Sequence, residues 1–372
     1  MCRIGAFSGT VVAMDAKLPT LERRAGALPR RLPGVLTAVL LLLSGVTAAP
    51  ATAAPATLDQ SVLLGQVVPG LVDISTNLSY QGALGAGAGI VIDPSGEVLT
   101  NNHVIEGATE ITAVSLANSR SYTVDVIGFD RASDIALIRL RGAENLPMAA
   151  LGTSSSLAVG DPIAAIGNSD GAGGNPSFAP GSITEIGASV RASDEGGGRT
   201  RQLDDLIRVA ADIRPGDSGG PLVNSTGQVV GVTVAATLTY GLSGVRGGEG
   251  FAIPIDRAMA IANQIRSGAP SPSIHIGDTA FIGVGIADAP PFAGAPRGAV
   301  VRQVLPDTPA QAAGLVSGDI ITAVDGIPVQ AAGDLSGIMD QRRPGDTIML
   351  SWVDRAGFSR TAPVVVAKGP AG

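Results

Sequence analysis

The chain has 372 residues, 45% hydrophobic and 15% charged, with 25 Lys and Arg against 32 Asp and Glu for a formal net charge of −7. At about 150 residues per domain, this length predicts two or three domains. The apolar fraction excludes a wholly disordered chain, and an acidic balance with no Lys/Arg block argues against nucleic acid as a partner. The only cysteine is Cys2 and the only histidines are His103 and His275. An internal disulfide, a Cys-based metal site and a His-rich metal cluster are therefore excluded, and no metal or cofactor is expected.

Residues 1–53 read as an export signal. Arg3, Lys17, Arg23, Arg24, Arg30 and Arg31 face only Asp15 and Glu22. An apolar run follows from Leu32 to Ala49, and Ala51-Thr52-Ala53 fits an A-x-A cleavage site. Met14 is an alternative start. The competing reading is an uncleaved membrane anchor, since the run is about long enough to span. Pro33, Gly34 and Gly45 interrupt it, which favours removal. The expected location is the cell envelope or the exterior.

From residue 58 to 266 the pattern predicts short strands between Gly-rich turns. These are Val68–Thr76, Gly87–Ile92, Val98–Thr100, Ser121–Asp130, Ala136–Leu140, Pro162–Ile166 and Gln228–Ala236. Regular spacing of that kind favours a β-barrel or sandwich. A helix is expected over Ile255–Arg266, after Pro254. Residues 267–275 have linker composition. A second, mixed α/β unit covers 276–368, with strands Ala299–Val304, Ile320–Val324 and Ile348–Val353 and helices Pro309–Gly314 and Ala331–Asp340. The Gly85–Gly89 stretch is a turn into a strand, because a dinucleotide fingerprint would open a helix.

The strongest chemical signal is Gly216-Asp217-Ser218-Gly219-Gly220-Pro221. A serine nucleophile needs a sharp turn and nearby amides for an oxyanion, and Gly216 permits that turn. The segment also satisfies G-x-S-x-G, the elbow of α/β-hydrolases, which need their histidine after the serine. The histidine on that side is His275, in the Pro/Ser stretch, a poor place for a rigid base. The order His103, Asp134, Ser218 instead fits a chymotrypsin-type triad.

Thr100-Asn-Asn-His-Val104, Ser133-Asp-Ile-Ala-Leu137 and Gly216-Asp-Ser-Gly-Gly-Pro221 together resemble the HtrA/DegP family of trypsin-fold serine proteases. The run from Gly87 onward is most like secreted mycobacterial members. The resemblance implies a mostly β fold, with two six-stranded barrels flanking the active site. Ser218 would be the acyl-forming nucleophile, His103 the general base and then acid, and Asp134 its orienting partner. The oxyanion hole would use the Gly216 and Ser218 amides, with Asp217 between them.

Asp217 occupies the position that, in trypsin-like zymogens, pairs with a chain terminus made by cleavage. The usual Ile-Val-Gly-Gly start is lacking, so activation of that kind is not expected. Loops that switch between ordered and disordered states are the implied alternative, the candidates being Asn168–Gly181, Ala192–Arg201 and Thr237–Gly250. The S1 pocket is expected around Asp212, Ile213, Thr233, Val234 and Ala235. Asp212 lies six residues before the serine, where a buried carboxylate would favour Lys or Arg at P1. The competing reading pairs it with Arg214 or solvent and leaves an aliphatic P1 preference.

The second unit resembles a PDZ domain through Phe281-Ile-Gly-Val-Gly-Ile286 and Leu305-Pro-Asp-Thr-Pro-Ala-Gln-Ala-Ala-Gly-Leu-Val-Ser-Gly-Asp319. Phe281, Ile282, Gly283 and Val284 would receive a peptide C-terminus. Leu335, Ile338 and Met339 would wall its pocket. The expected function is an exported serine endopeptidase acting on unfolded or exposed protein segments. Its partners would be protein substrates and peptide C-termini. The alternatives are a chaperone or adaptor that mainly binds misfolded protein, and an esterase. HtrA-like proteases are often homo-trimers, but Leu58–Val68 lacks obvious aromatic anchors, which leaves the oligomeric state open.

Overall fold

The computed structural model describes residues 58–194, 200–234, 240–243, 248–269, 271, 273–289 and 296–372. The expected leader and its cleavage site lie outside the described residues. Among those described, no helix is long and apolar enough to cross a membrane.

The chain begins with helix α1 (Gln60–Val67), where the sequence pattern had no helix. Asp59 caps it, its carboxylate accepting from the Ser61 and Val62 amides at 3.0 and 3.2 Å. Leu63 and Val67 are buried. A short 3-10 turn then delivers strand β1 (Leu71–Leu78), three residues later than the apolar pattern suggested.

Strands β1, β2 (Ala83–Asp93), β3 (Glu97–Thr100), β4 (Glu110–Ser115), β5 (Ser121–Asp130) and β6 (Ile135–Leu140) close the first barrel, in the order β5-β4-β1-β2-β3-β6 with β5 returning to β6. Helix α2 (Asn102–Ile105) follows β3. The second barrel uses β7 (Pro162–Gly167), β8 (Ser177–Asp194), β9 (Thr200–Ala210), β10 (Pro221–Asn224), β11 (Val229–Val234) and β13 (Gly250–Pro254), while β12 (Tyr240–Ser243) lies on the edge beside β8.

Helix α3 (Ile255–Ser267) runs one residue past its expected end, and Gly268 caps it in the left-handed conformation. Its buried stripe, Ile255, Ala258, Ile261, Ala262 and Ile265, joins a core that also takes Leu71, Ile90 and Leu137 from the first barrel and Val232, Phe251 and Ile253 from the second. The helix therefore fixes one barrel against the other by shared apolar burial. Each barrel keeps a further core of its own, around Phe129 in the first and Leu222 in the second.

The stretch read as a linker is partly structured. Strand β14 (Ile274–Ile276) pairs antiparallel with Gly128–Asp130 of β5, making it a seventh strand on the first barrel's sheet. His275 sits in that strand, buried, with its ring stacked on Phe129 at 4.9 Å.

The C-terminal domain then forms β15 (Ala280–Phe281), β16 (Val284–Asp288), β17 (Ala299–Val304), α4 (Pro309–Ala312), β18 (Ile320–Val324), β19 (Ile327–Pro328), α5 (Ala332–Met339), β20 (Thr347–Val353), β21 (Ser359–Val365) and β22 (Ala367–Lys368). Its main sheet runs β16-β17-β18-β20-β21 around a core of Val301, Leu335, Leu350 and Trp352, which leaves β16 as an edge strand.

Candidate active site

His103 lies on α2, directly after β3; Asp134 lies in the turn between β5 and β6; Ser218 lies in the turn before β10. Folding brings the three together. His103 Nε2 is 2.9 Å from Ser218 Oγ, and His103 Nδ1 is 2.7 Å from Asp134 Oδ2. The carboxylate can only accept at Nδ1, so the proton sits there and Nε2 presents its lone pair to the serine hydroxyl. Asp134 Oδ1 also accepts from the His103 backbone amide at 2.9 Å. Asn101 Nδ2 donates to the Asp134 carbonyl at 2.9 Å. One carboxylate thus orients both the imidazole and the start of the helix that carries it. Asp134 and the His103 side chain are buried, which strengthens these bonds relative to water.

The serine turn is held from both barrels. Ala88 of β2 donates its amide to the Ser218 carbonyl at 2.8 Å, and Thr233 Oγ1 of β11 donates to the Asp217 and Gly220 carbonyls at 2.5 and 3.0 Å. Gly216 has φ +94, and a Cβ there would fall 2.0 Å from the Asn168 carbonyl oxygen, so glycine is required by space as well as by conformation. The Pro215 carbonyl accepts from the Asp170 amide at 2.7 Å. A trans peptide aims its carbonyl and N–H in opposite directions. The Gly216 N–H therefore points away from the 168–171 turn.

The expected S1 residues divide. Asp212 is exposed and takes the Arg214 guanidinium on Oδ2, from Nε at 2.9 Å and Nη2 at 2.6 Å, so it does not form a buried pocket base. An unpaired carboxylate would cost several kcal/mol to bury, and its neighbour two residues on offers a solvated partner instead. Ile213 is half-buried and packs where a Gly250 side chain would stand. Thr233 and Val234 are fully buried, Thr233 serving the serine turn as described. Ala235 lies outside the described residues.

Sequence reasoning missed Asn101, Ser169 and Ser177. Asn101 stood inside the histidine motif. The two serines gave no signal, because they meet Asp217 across 48 and 40 residues of chain: Ser169 Oγ lies 2.9 Å from both carboxylate oxygens and Ser177 Oγ 2.5 Å from Oδ1.

In the C-terminal domain, Phe281, Ile282, Gly283 and Val284 bridge β15 and β16 beside a crevice of about 320 Å3, which Leu335 and Met339 of α5 also line. Ile338, the third residue expected in that wall, packs against the domain's core and does not line the crevice. The far wall of the crevice is Glu106 and Gly107, just beyond the catalytic-histidine helix, together with Arg131 and residues 369–372. Phe281 stacks on Tyr80 of the first barrel at 5.5 Å. A crevice of about 830 Å3 lies elsewhere, among Phe129, Arg131, His275 and Arg342, away from the triad.

The fold and the site together define a trypsin-like peptidase domain followed by a PDZ domain. Comparison with known families agrees: residues 87–232 match the trypsin-like peptidase domain and residues 280–365 the PDZ domain. The chain is 34% identical over 315 residues to the serine protease PepD of Mycobacterium tuberculosis, an alignment covering 82% of this chain and 65% of that one. It is 35% identical over 278 residues to the chloroplastic Protease Do-like 1 of Arabidopsis thaliana, with 71% and 60% covered. A protein of Pseudomonas savastanoi named as a DegP-like periplasmic serine endoprotease is 36% identical over 290 residues, with 76% and 56% covered. Among solved structures, the HtrA-type protease AlgW with a tripeptide shares 26% identity at a TM-score of 0.47, over 84% of this chain and 98% of that chain. In sequence and domain order the chain is similar to proteins named as DegP-like and related serine proteases, and it spans 56–65% of the length of the three curated relatives named.

Proposed function

We propose that this chain is an exported serine endopeptidase that cleaves unfolded or exposed protein segments, with a PDZ domain that receives peptide C-termini and regulates cleavage. The observation that carries the reading is the closed relay from Asp134 through His103 to Ser218, at 2.7 and 2.9 Å, with nucleophile, base and orienting carboxylate all buried.

In this mechanism Ser218 Oγ attacks the scissile carbonyl carbon while His103 Nε2 takes the hydroxyl proton. The carbonyl electron pair moves onto oxygen, and the Gly216 and Ser218 amides receive that oxyanion. Collapse breaks the C–N bond, His103 gives its proton to the leaving amine, and an acyl-serine remains. Water then repeats the sequence with His103 again as base, releasing the acid and restoring Ser218. Asp134 stays ionised throughout and stabilises the imidazolium. With Asp212 turned to Arg214, Ile213 supports an aliphatic P1 preference. The edge strand β16 beside the crevice supports peptide addition as an extra strand. The basic-apolar-small order of residues 1–53 supports export, and the periplasmic DegP-like relative is consistent with it.

The deciding experiment is degradation of denatured casein. The parent protein is expected to degrade it, and Ser218→Ala or His103→Ala to lose at least about 10³-fold in rate. His275→Ala should retain activity; dependence on His275 would overturn the triad. Binding of casein by the parent without cleavage would favour the chaperone reading.

A further inference from the structure

Asp217 is 2% exposed, yet among the described residues no cationic group hydrogen-bonds its carboxylate. Arg214, three residues before it, directs its guanidinium to Asp212 and offers Asp217 only its backbone amide, at 2.9 Å to Oδ2. The remaining contacts are the hydroxyls of Ser169 and Ser177. A buried carboxylate is costly unless hydrogen-bonded, and charge-assisted bonds to hydroxyls and amides are the strong kind.

The two serines stand at either end of one segment. Ser169 opens a 3-10 turn and Ser177 opens β8, so one carboxylate clips both ends of residues 169–177. Inside the clip, Asn168 Oδ1 accepts from the Gly173 amide at 2.8 Å. The Asp170 amide, in a left-handed residue at φ +62, holds the Pro215 carbonyl. That last bond orients the 215–216 peptide, and with it the Gly216 N–H.

We propose that Ser169 and Ser177 are positioning residues of the oxyanion hole. Through Asp217 they hold residues 169–177 in the arrangement that turns the Gly216 N–H toward the reacting carbonyl, a task that a newly cut chain terminus performs in trypsin-like zymogens. This rests on the proteolytic reading above and adds the device that keeps the site competent without cleavage. The serines bond the Asp217 carboxylate; they act on the turnover step rather than on binding.

The test is the double variant Ser169→Ala/Ser177→Ala in the full chain, assayed on a peptide cleaved by the parent. Removing one oxyanion donor costs about 10²–10³-fold in turnover. The double variant should therefore lose about 10- to 100-fold in kcat with KM within about twofold, and lose affinity for a peptide boronate in proportion to kcat. Ser169→Thr/Ser177→Thr keeps both hydroxyls and should recover most of the rate. Ser189→Ala removes a hydroxyl bonded to Asp204 on the exposed face of the second barrel and should change nothing. Unchanged kcat in the double variant, or a loss confined to KM, would overturn the proposal.

Hydrogen exchange in the Ser218→Ala background reads the latch without any activity. The Asp170 amide should be protected there and should exchange faster once both serines are alanine; equal protection would also overturn it. If the parent cleaves nothing, the proteolytic reading fails, and the exchange measurement still decides the latch.

Discussion

Asp134 holds φ +55, a left-handed conformation that aspartate tolerates better than most side chains but still at a cost. The cost is offset where the residue acts, since that backbone turn lets one carboxylate reach both the ring and the amide of His103. The triad was legible in the sequence because order along the chain and motif spacing are linear properties. Asp212 was harder: its offset from Ser218 admitted a pocket floor or a surface ion pair, and only the backbone direction at 212–214 separates the two. Asp73 gave no sequence signal. It is buried on β1, with Oδ2 3.9 Å from where a Gly173 Cβ would stand. Burial pushes its carboxyl up to about 6. A carboxyl raised in the folded state supports folding while protonated, and that contribution fades as pH climbs through the folded value. Asp73→Asn should accordingly melt higher than the parent at about pH 7.5 and equally at about pH 4. A lower melting temperature at the higher pH would mean that the ionised carboxylate makes a stabilising contact.

Strands dense in Val and Ile were found at their expected places, Ser121–Asp130, Ala299–Val304 and Ile320–Val324 to the residue. The β8–β9 pair was not anticipated as strands: the ends of β8 and the start of β9 fell in the candidate loops Asn168–Gly181 and Ala192–Arg201, and the rest was left unassigned. β8 carries Pro180, Gly181 and Gly187, and its pairing with β9 shifts register three times, so period-two alternation is broken along its length. Helix α1 was missed because its face is weakly apolar and its evidence is a cap, Asp59, that reads equally as a turn residue. In the PDZ domain the element that matters most is the β15–β16 connection. Gly283 has φ +86, and a Cβ there would lie 2.3–2.5 Å from the Thr308 side chain. Gly283→Ala is expected to destabilise this domain by about 1–3 kcal/mol and to weaken capture of a peptide bearing a free C-terminus. Trp352, the chain's single tryptophan and 6% exposed in the domain's core, supplies the readout as an earlier fluorescence transition in denaturant. An unchanged transition would show that the backbone absorbs the side chain.

Across the whole molecule, the peptidase and PDZ domains are joined by more than the covalent connection. β14 returns to β5, Arg131 forms an ion pair with Asp340 at the end of α5, and the Asp340 carbonyl lies 2.8 Å from His275 Nδ1. None of this could be read from composition, which marked 267–275 only as Pro- and Ser-rich. A single proteolytic nick between residues 268 and 273 is therefore expected to leave both fragments co-eluting on size exclusion at neutral pH, separating only in denaturant; separation in plain buffer would show that the covalent tether alone holds them.

Residues 369–372 add a further tie. Ala371 exchanges backbone hydrogen bonds with Gly107 and Ala108, at 2.7 and 2.8 Å, immediately beyond the helix of His103, and Arg131 Nη2 donates to the Gly372 carbonyl at 2.6 Å. In the order of synthesis, this segment is made long after the triad's three residues. A nascent chain that has just released Ser218 owns every atom of the relay but not the strap across the turn behind its base. The turn that follows the His103 helix gains these bonds only when residue 371 arrives, so the peptidase domain emerging first lacks a tie that it later acquires.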